Sequence, residues 1–215
     1  MSRILTFIWV YVLPIPLSVA MYYIWAFWSG SQLFAAYVIL LPLIYGYVAP
    51  GIATNVLRKW RFRGPWVVGR FYVHHGFMYC ANMAPLLFIA WLGTQREPLS
   101  AATAVRILIC AGALHGFVQS WHDLLIVRHG MVEINNRPTR EGRSAEEIVA
   151  HYGPLCFFLI GLTYAAGSLL AFQALVIQGD TKPRTLFWLS AGGLGLMLTL
   201  PTLAYRMIEN REKND

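Results

Sequence analysis

The sequence predicts an all-α fold: a polytopic transmembrane bundle of six helices with both termini in the cytoplasm. Three observations predict it. The 215 residues are 57% hydrophobic and only 13% charged, against roughly 25% charged residues in an ordinary soluble domain. Six apolar segments, each near the roughly 20 residues a membrane crossing needs, recur at about 4–28, 32–57, 66–92, 101–127, 148–177 and 185–207. The basic residues between them are strongly one-sided.

Six crossings place the N-terminus, the second loop (about 58–65), the fourth loop (128–147) and the C-terminus on one side. That side holds 13 of the 17 basic residues. They are Arg3; Arg58, Lys59, Arg61, Arg63 and Arg70; Arg128, Arg137, Arg140 and Arg143; and Arg206, Arg211 and Lys213. Only Arg96, Arg106, Lys182 and Arg184 fall on the other. The basic side is cytoplasmic by the positive-inside rule, and the expected location is a bacterial inner (cytoplasmic) membrane. The same asymmetry makes nucleic acid a poor explanation for the net charge of +7.

Within the first segment, Arg3 before an apolar run and Ser18-Val19-Ala20 imitate a signal peptide. The run continues through Met21-Tyr22-Tyr23-Ile24-Trp25, too long for such a leader, so an uncleaved first helix is expected. Seven prolines lie in or beside the segments, which membrane helices tolerate because neighbours re-satisfy the freed carbonyls. Trp25, Trp28, Trp60 and Trp66 stand at segment ends, where interfacial aromatics belong. The small-residue pairs Gly161/Ala165 and Ala191/Gly195 permit close helix approach, inside the bundle or at a subunit interface. In the fourth loop, Ser144 and Glu147 have capping-box spacing ahead of the fifth segment. One domain, 1–215, covers all of this. Cys80, Cys110 and Cys156 all lie in apolar segments, as buried hydrophobes do, with no C-x-x-C spacing.

Ionisable residues in apolar helices are expensive and default to function. His74 and His75 occupy the third segment, His115, His122 and Asp123 the fourth, and His151 opens the fifth. Three helices thereby bring polar groups to one depth, in the cytoplasmic third. His115, Gln119 and His122 share a helix face. Neutral imidazole ligates copper, iron or zinc, and Asp123 suits ligation or orientation of a histidine. The expected metal ligands are His115, His122 and His151; the expected catalytic residues are His115, Asp123 and Glu147. No H-x-x-x-H, H-x-x-H-H or H-E-x-x-H spacing is present, so a membrane desaturase box is not indicated.

Two stretches resemble known families. Trp121-His122, Val127-Arg128, Ile148-Val149, Tyr152-Gly153 and Leu200-Pro201 resemble the C subunit of copper membrane monooxygenases, of the ammonia or methane type. That resemblance implies a metal ligand at His122. Where the family has an aspartate and a second histidine, Val118 and Glu147 stand, and the loop between is longer here. Separately, Gly112, His115, Trp121 and Gly153-Pro154-Leu155 resemble the emopamil-binding sterol isomerase family, which shifts a double bond by proton transfer. Its first glutamate falls on Gln119, and its second is out of register with Glu146 or Glu147. The leading expectation is a membrane oxidoreductase or monooxygenase-like subunit. It would hold copper or iron near the cytoplasmic face and act on a small apolar substrate arriving through membrane lipid. The alternatives are metal-free acid–base chemistry on a lipid or isoprenoid, using His115 and an acid, and a non-enzymatic transporter or assembly subunit among other membrane subunits.

Overall fold

The computed structural model describes residues 2–211. Lys213, counted above among the cytoplasmic basic residues, lies outside them.

The chain is mostly helical, and four of its helical stretches are long and apolar enough to cross a membrane: Gln32–Val56, Ala101–Arg128, Ala145–Ile177 and Pro183–Asn210. A fifth candidate is a bent pair, α1 (Arg3–Phe7) with its wide-turned extension Ile8–Val12, and α2 (Pro14–Ser29), which meet at 57°. The bend has a sequence cause. Pro14 has no N–H, so the carbonyl of Val10 loses its partner in the helix. The Nε2 of His74 takes that carbonyl instead, at 2.8 Å.

The next helix, α3 (Gln32–Gly51), is capped by Ser31, whose hydroxyl accepts from the Phe34 N–H. After it the chain departs from expectation. Segment 66–92 does not form one helix. A short strand β1 (Trp60–Phe62) is followed by a two-residue-turn hairpin of β2 (Val67–Val68) and β3 (Phe71–Tyr72). Gly69 turns the hairpin with φ +65°, a conformation open to glycine at little cost. Helix α4 (His75–Trp91) therefore has 17 residues. That is a rise of about 25 Å at 1.5 Å per residue, short of a hydrocarbon core of roughly 30 Å.

Helix α5 (Ala101–Arg128) is capped by Ser100 and runs unbroken to His129. Strand β4 (Val132–Ile134) then pairs antiparallel with β1, setting Trp60 opposite Ile134 and Phe62 opposite Val132. The second and fourth loops are thus stitched to each other by backbone hydrogen bonds. A short helix α6 (Arg137–Arg140), capped by Asn136, leads to α7 (Ala145–Ala150). Ser144 and Glu147 close the capping box expected of them. The fifth segment breaks at His151-Tyr152, and α8 (Gly153–Phe172) restarts with Pro154 in its first turn, where a missing N–H costs nothing. Helix α9 (Pro183–Arg211) closes the chain.

The largest helix interface joins α5 to α8. Gly161 makes it possible: a Cβ there would stand 2.6 Å from the His115 Cβ and 2.7 Å from the Ala111 carbonyl oxygen. Gly161 thus packs inside the bundle. Ala191 and Gly195 do not: both are exposed on the outer face of α9, and a Cβ built on Gly195 meets nothing within 4 Å. The inward small residue of that helix is Gly193, against the Tyr37 hydroxyl.

The ends of the bundle hold different contacts. At one end Lys59 pairs with Glu209, Arg63 with Glu133 and Arg128 with Glu146, and Arg3 shares a pocket with Arg63 and His129. At the other, the Arg96 guanidinium donates to the carbonyls of Phe27 and Trp28, and Arg106 donates to the Leu92 carbonyl at 3.2 Å.

Candidate functional site

A small cavity of about 30 Å³ lies beneath the β1–β4 sheet, between α4, α5 and the start of α8. The strands supply Trp60, Phe62, Val132 and Ile134 as its roof. Its polar wall is His75, Tyr79 and Asn82 from α4, Gln119, His122 and Asp123 from α5, and Tyr152 from the α7–α8 break. A cavity of that size holds a water or two. As it stands it is too small for a substrate of lipid size.

Local sequence explains why these side chains meet. On α4, His75, Met78, Tyr79 and Asn82 follow i, i+3, i+4, i+7 spacing and share one face. On α5, Gln119, His122, Asp123 and Ile126 do the same. Tyr152 is turned inward by the break before Gly153-Pro154, with φ −131° and ψ −33°.

The polar atoms form two chains. The Tyr152 hydroxyl donates to Asp123 Oδ2 at 2.6 Å, and Asp123 Oδ1 lies 3.5 Å from His122 Nδ1. In the other, Trp9 Nε1 donates to Asn82 Oδ1 at 2.8 Å, and Asn82 Nδ2 donates to Gln119 Oε1 at 3.2 Å. Trp9 also stands edge-on to the His122 ring, with centroids 5.2 Å apart. His122 is 5% exposed, and its Nε2 is buried without a hydrogen-bond partner among the described residues. The same holds for His75 Nδ1, whose ring is packed 4.6 Å from that of Phe62. Buried polar atoms are nearly always paired, so two unengaged ring nitrogens in one cavity wall require an explanation.

Of the residues expected to form the site, His122 and Asp123 are in it. The others are placed elsewhere, each for a visible reason. His115 is fully buried between α5 and Gly161, and its Nδ1 bonds back to the Ala111 carbonyl at 2.7 Å. Glu147 is exposed, engaged in the capping box and 3.6 Å from Arg143. His151 ends α7 outside the cavity wall. His115, His122 and His151 therefore do not converge. Among the described residues no three His, Cys, Asp or Glu side chains are grouped to hold a metal ion.

Sequence reasoning gave Tyr152 and Trp60 no role in a site. A signal for Tyr152 was available: Pro154 has no N–H for the Ala150 carbonyl, so a helix running up to it is interrupted in the turn that holds Tyr152. Trp60 had none, because it reaches the cavity only through strand pairing with Ile134, 74 positions along the chain.

No protein-family model, no curated protein and no solved structure matches this chain.

Proposed function

We propose that this chain is a metal-free acid–base enzyme of the membrane, moving a proton on a lipid-soluble substrate such as an unsaturated lipid or isoprenoid. His122 Nε2 takes or gives the proton. Asp123 stabilises the imidazolium that forms, and Tyr152 holds Asp123 in place. One observation carries the reading. A buried histidine has a carboxylate 3.5 Å from one ring nitrogen and an unengaged second nitrogen in the wall of a small cavity. That is the arrangement of a general base held by a carboxylate. Apo geometry of such sites is commonly long, so 3.5 Å between His122 and Asp123 is compatible with a bond that tightens around substrate. The oxidoreductase reading with copper or iron rests on the shared depth expected of His115, His122 and His151 and on the sequence resemblance.

The proposal includes six crossings with both termini on the cytoplasmic face of a bacterial inner membrane. The end contacts support it. Arg3, the second loop, the fourth loop and Glu209 meet at one end of the bundle, and Phe27, Trp28 and Arg96 meet at the other.

The test uses membranes holding the full chain, incubated in deuterated water, with deuterium in extracted lipids read by mass spectrometry. Wild-type protein is expected to label one lipid species over time. His122→Gln is expected to lower that rate by about a hundredfold or more, the range for losing a general base. Equal labelling by the two proteins, or a stoichiometric metal in wild type that His122→Gln removes, would sink the reading.

A further inference from the structure

A second pocket, of about 240 Å³, opens on the basic end of the bundle between α1, the β1–β2 connection and the end of α5. Arg3, Arg63 and His129 line it, and no carboxylate does. Arg63 has Glu133 on one side; Arg3 has no ion pair among the described residues. The hydroxyl of Tyr11 stands in the wall against Gly64. Tyr11 is 7% exposed; its hydroxyl lies beside that of Tyr72, whose own proton goes to the Arg63 carbonyl at 2.7 Å, which leaves the Tyr11 proton for a further acceptor. His129 Nδ1 is buried with no hydrogen-bond partner among the described residues. A buried hydroxyl with a proton to give, beside two guanidinium groups and no carboxylate in the lining, is a site short of an anion. On the apolar side, Phe7 lines the same pocket and Ile4, one turn earlier, is exposed. The pocket thus passes from guanidinium to hydrocarbon, as a lipid does from headgroup to chain.

We propose that this pocket binds a phosphate-bearing anion. Arg3 and Arg63 neutralise it, the Tyr11 hydroxyl donates to it, and Phe7 and Ile4 lie along any attached acyl chain. The site is separate from the His122 cavity, and neither reading depends on the other. Planar guanidinium groups suit phosphate oxygens, and anionic lipid is attracted to basic groups at a cytoplasmic surface.

The full chain in neutral detergent is titrated with phosphatidylglycerol, phosphatidylcholine or inorganic phosphate, and bound species are counted by native mass spectrometry. One phosphatidylglycerol is expected per chain, held about tenfold tighter than phosphatidylcholine. Arg3→Gln with Arg63→Gln is expected to weaken it about tenfold or more, and Arg96→Gln at the opposite end to leave it unchanged. Tyr11→Phe keeps the ring packing, removes only the hydroxyl, and is expected to weaken binding about fivefold. Competition by millimolar inorganic phosphate identifies free phosphate as the ligand; binding that survives it identifies the lipid. The proposal fails if neither probe binds wild type, or if the arginine pair and the Tyr11 variant, both melting as wild type does, bind as wild type does.

Discussion

The two ends of this bundle solve opposite problems. At the end of Arg96, the rings of Trp25, Trp28, Phe34, Trp91 and Phe172 lock together edge to face, with Trp25 at the centre and fully buried. Its only polar atom donates to the Ala84 carbonyl at 3.3 Å. At the other end, comparable depth is given to His75, His122, Asp123 and Tyr152, and two ring nitrogens go without partners. Dense aromatic packing is stabilising wherever it occurs; unengaged buried nitrogens are not. Trp91 Nε1 in the aromatic cluster is unpartnered too among the described residues, but an indole N–H can only donate, whereas an imidazole can also take a proton; the difference between the ends is therefore one of titratable chemistry against aromatic packing.

The sharpest way to break this contrast is to exchange damage between the ends. Trp25→Ala is expected to cost about 3–5 kcal/mol of stability, as large-to-small changes in packed cores do. Deuterium transfer per folded molecule should be unaffected; chemical unfolding in detergent beside the labelling assay reads both. His122→Gln should do the reverse, with labelling down about a hundredfold or more and the unfolding midpoint almost unmoved. If Trp25→Ala abolishes labelling in protein that remains folded, the division between the ends is wrong.

A smaller effect sharpens the roles inside the cavity. Tyr152→Phe removes the donor to Asp123 and nothing else in the wall, so a loss of about tenfold in labelling is expected, with the pH profile displaced. Loss of stability alone would make Tyr152 a packing residue. The smallest effect lies in the loop before α9. The Lys182 N–H and the Thr185 hydroxyl, both bonded to Asp180 at 2.9 Å, hold its carboxyl below the usual range. A lowered carboxyl pKa stabilises above the unfolded value of about 4 and loses that contribution as pH falls through the lowered folded value. Asp180→Asn should therefore melt slightly below wild type near neutrality, with the two melting curves converging as the pH drops below about 4.

Much of the architecture was legible because its signals are local. Long apolar runs gave the helices, and Ser144 with Glu147 gave one cap; Ser31 and Ser100 cap their helices in the structure without having been assigned that role from sequence. Segment 66–92 misled because Val67-Val68 and Phe71-Tyr72 are as apolar as a helix; the clue was Gly69-Arg70 between two β-prone pairs. In the site, His122 and Asp123 were legible as ionisable groups in an apolar helix. His115 carried the same signal and is spent on packing beneath Gly161. A single sequence cannot separate those two histidines, because each satisfies the same spacing on one helix.

By itself the sequence determined that the chain is largely helical, that several of its helices are long and apolar enough for a membrane, and that its arginines crowd one set of loops. Those properties follow from runs of neighbouring residues and the water they avoid. Tertiary structure alone decided that β1 meets β4, that Tyr152 reaches Asp123, and that Trp60 roofs a cavity floored by α4 and α5. Each of those joins side chains or strands from separate segments, and only the packing of whole elements fixes which faces meet.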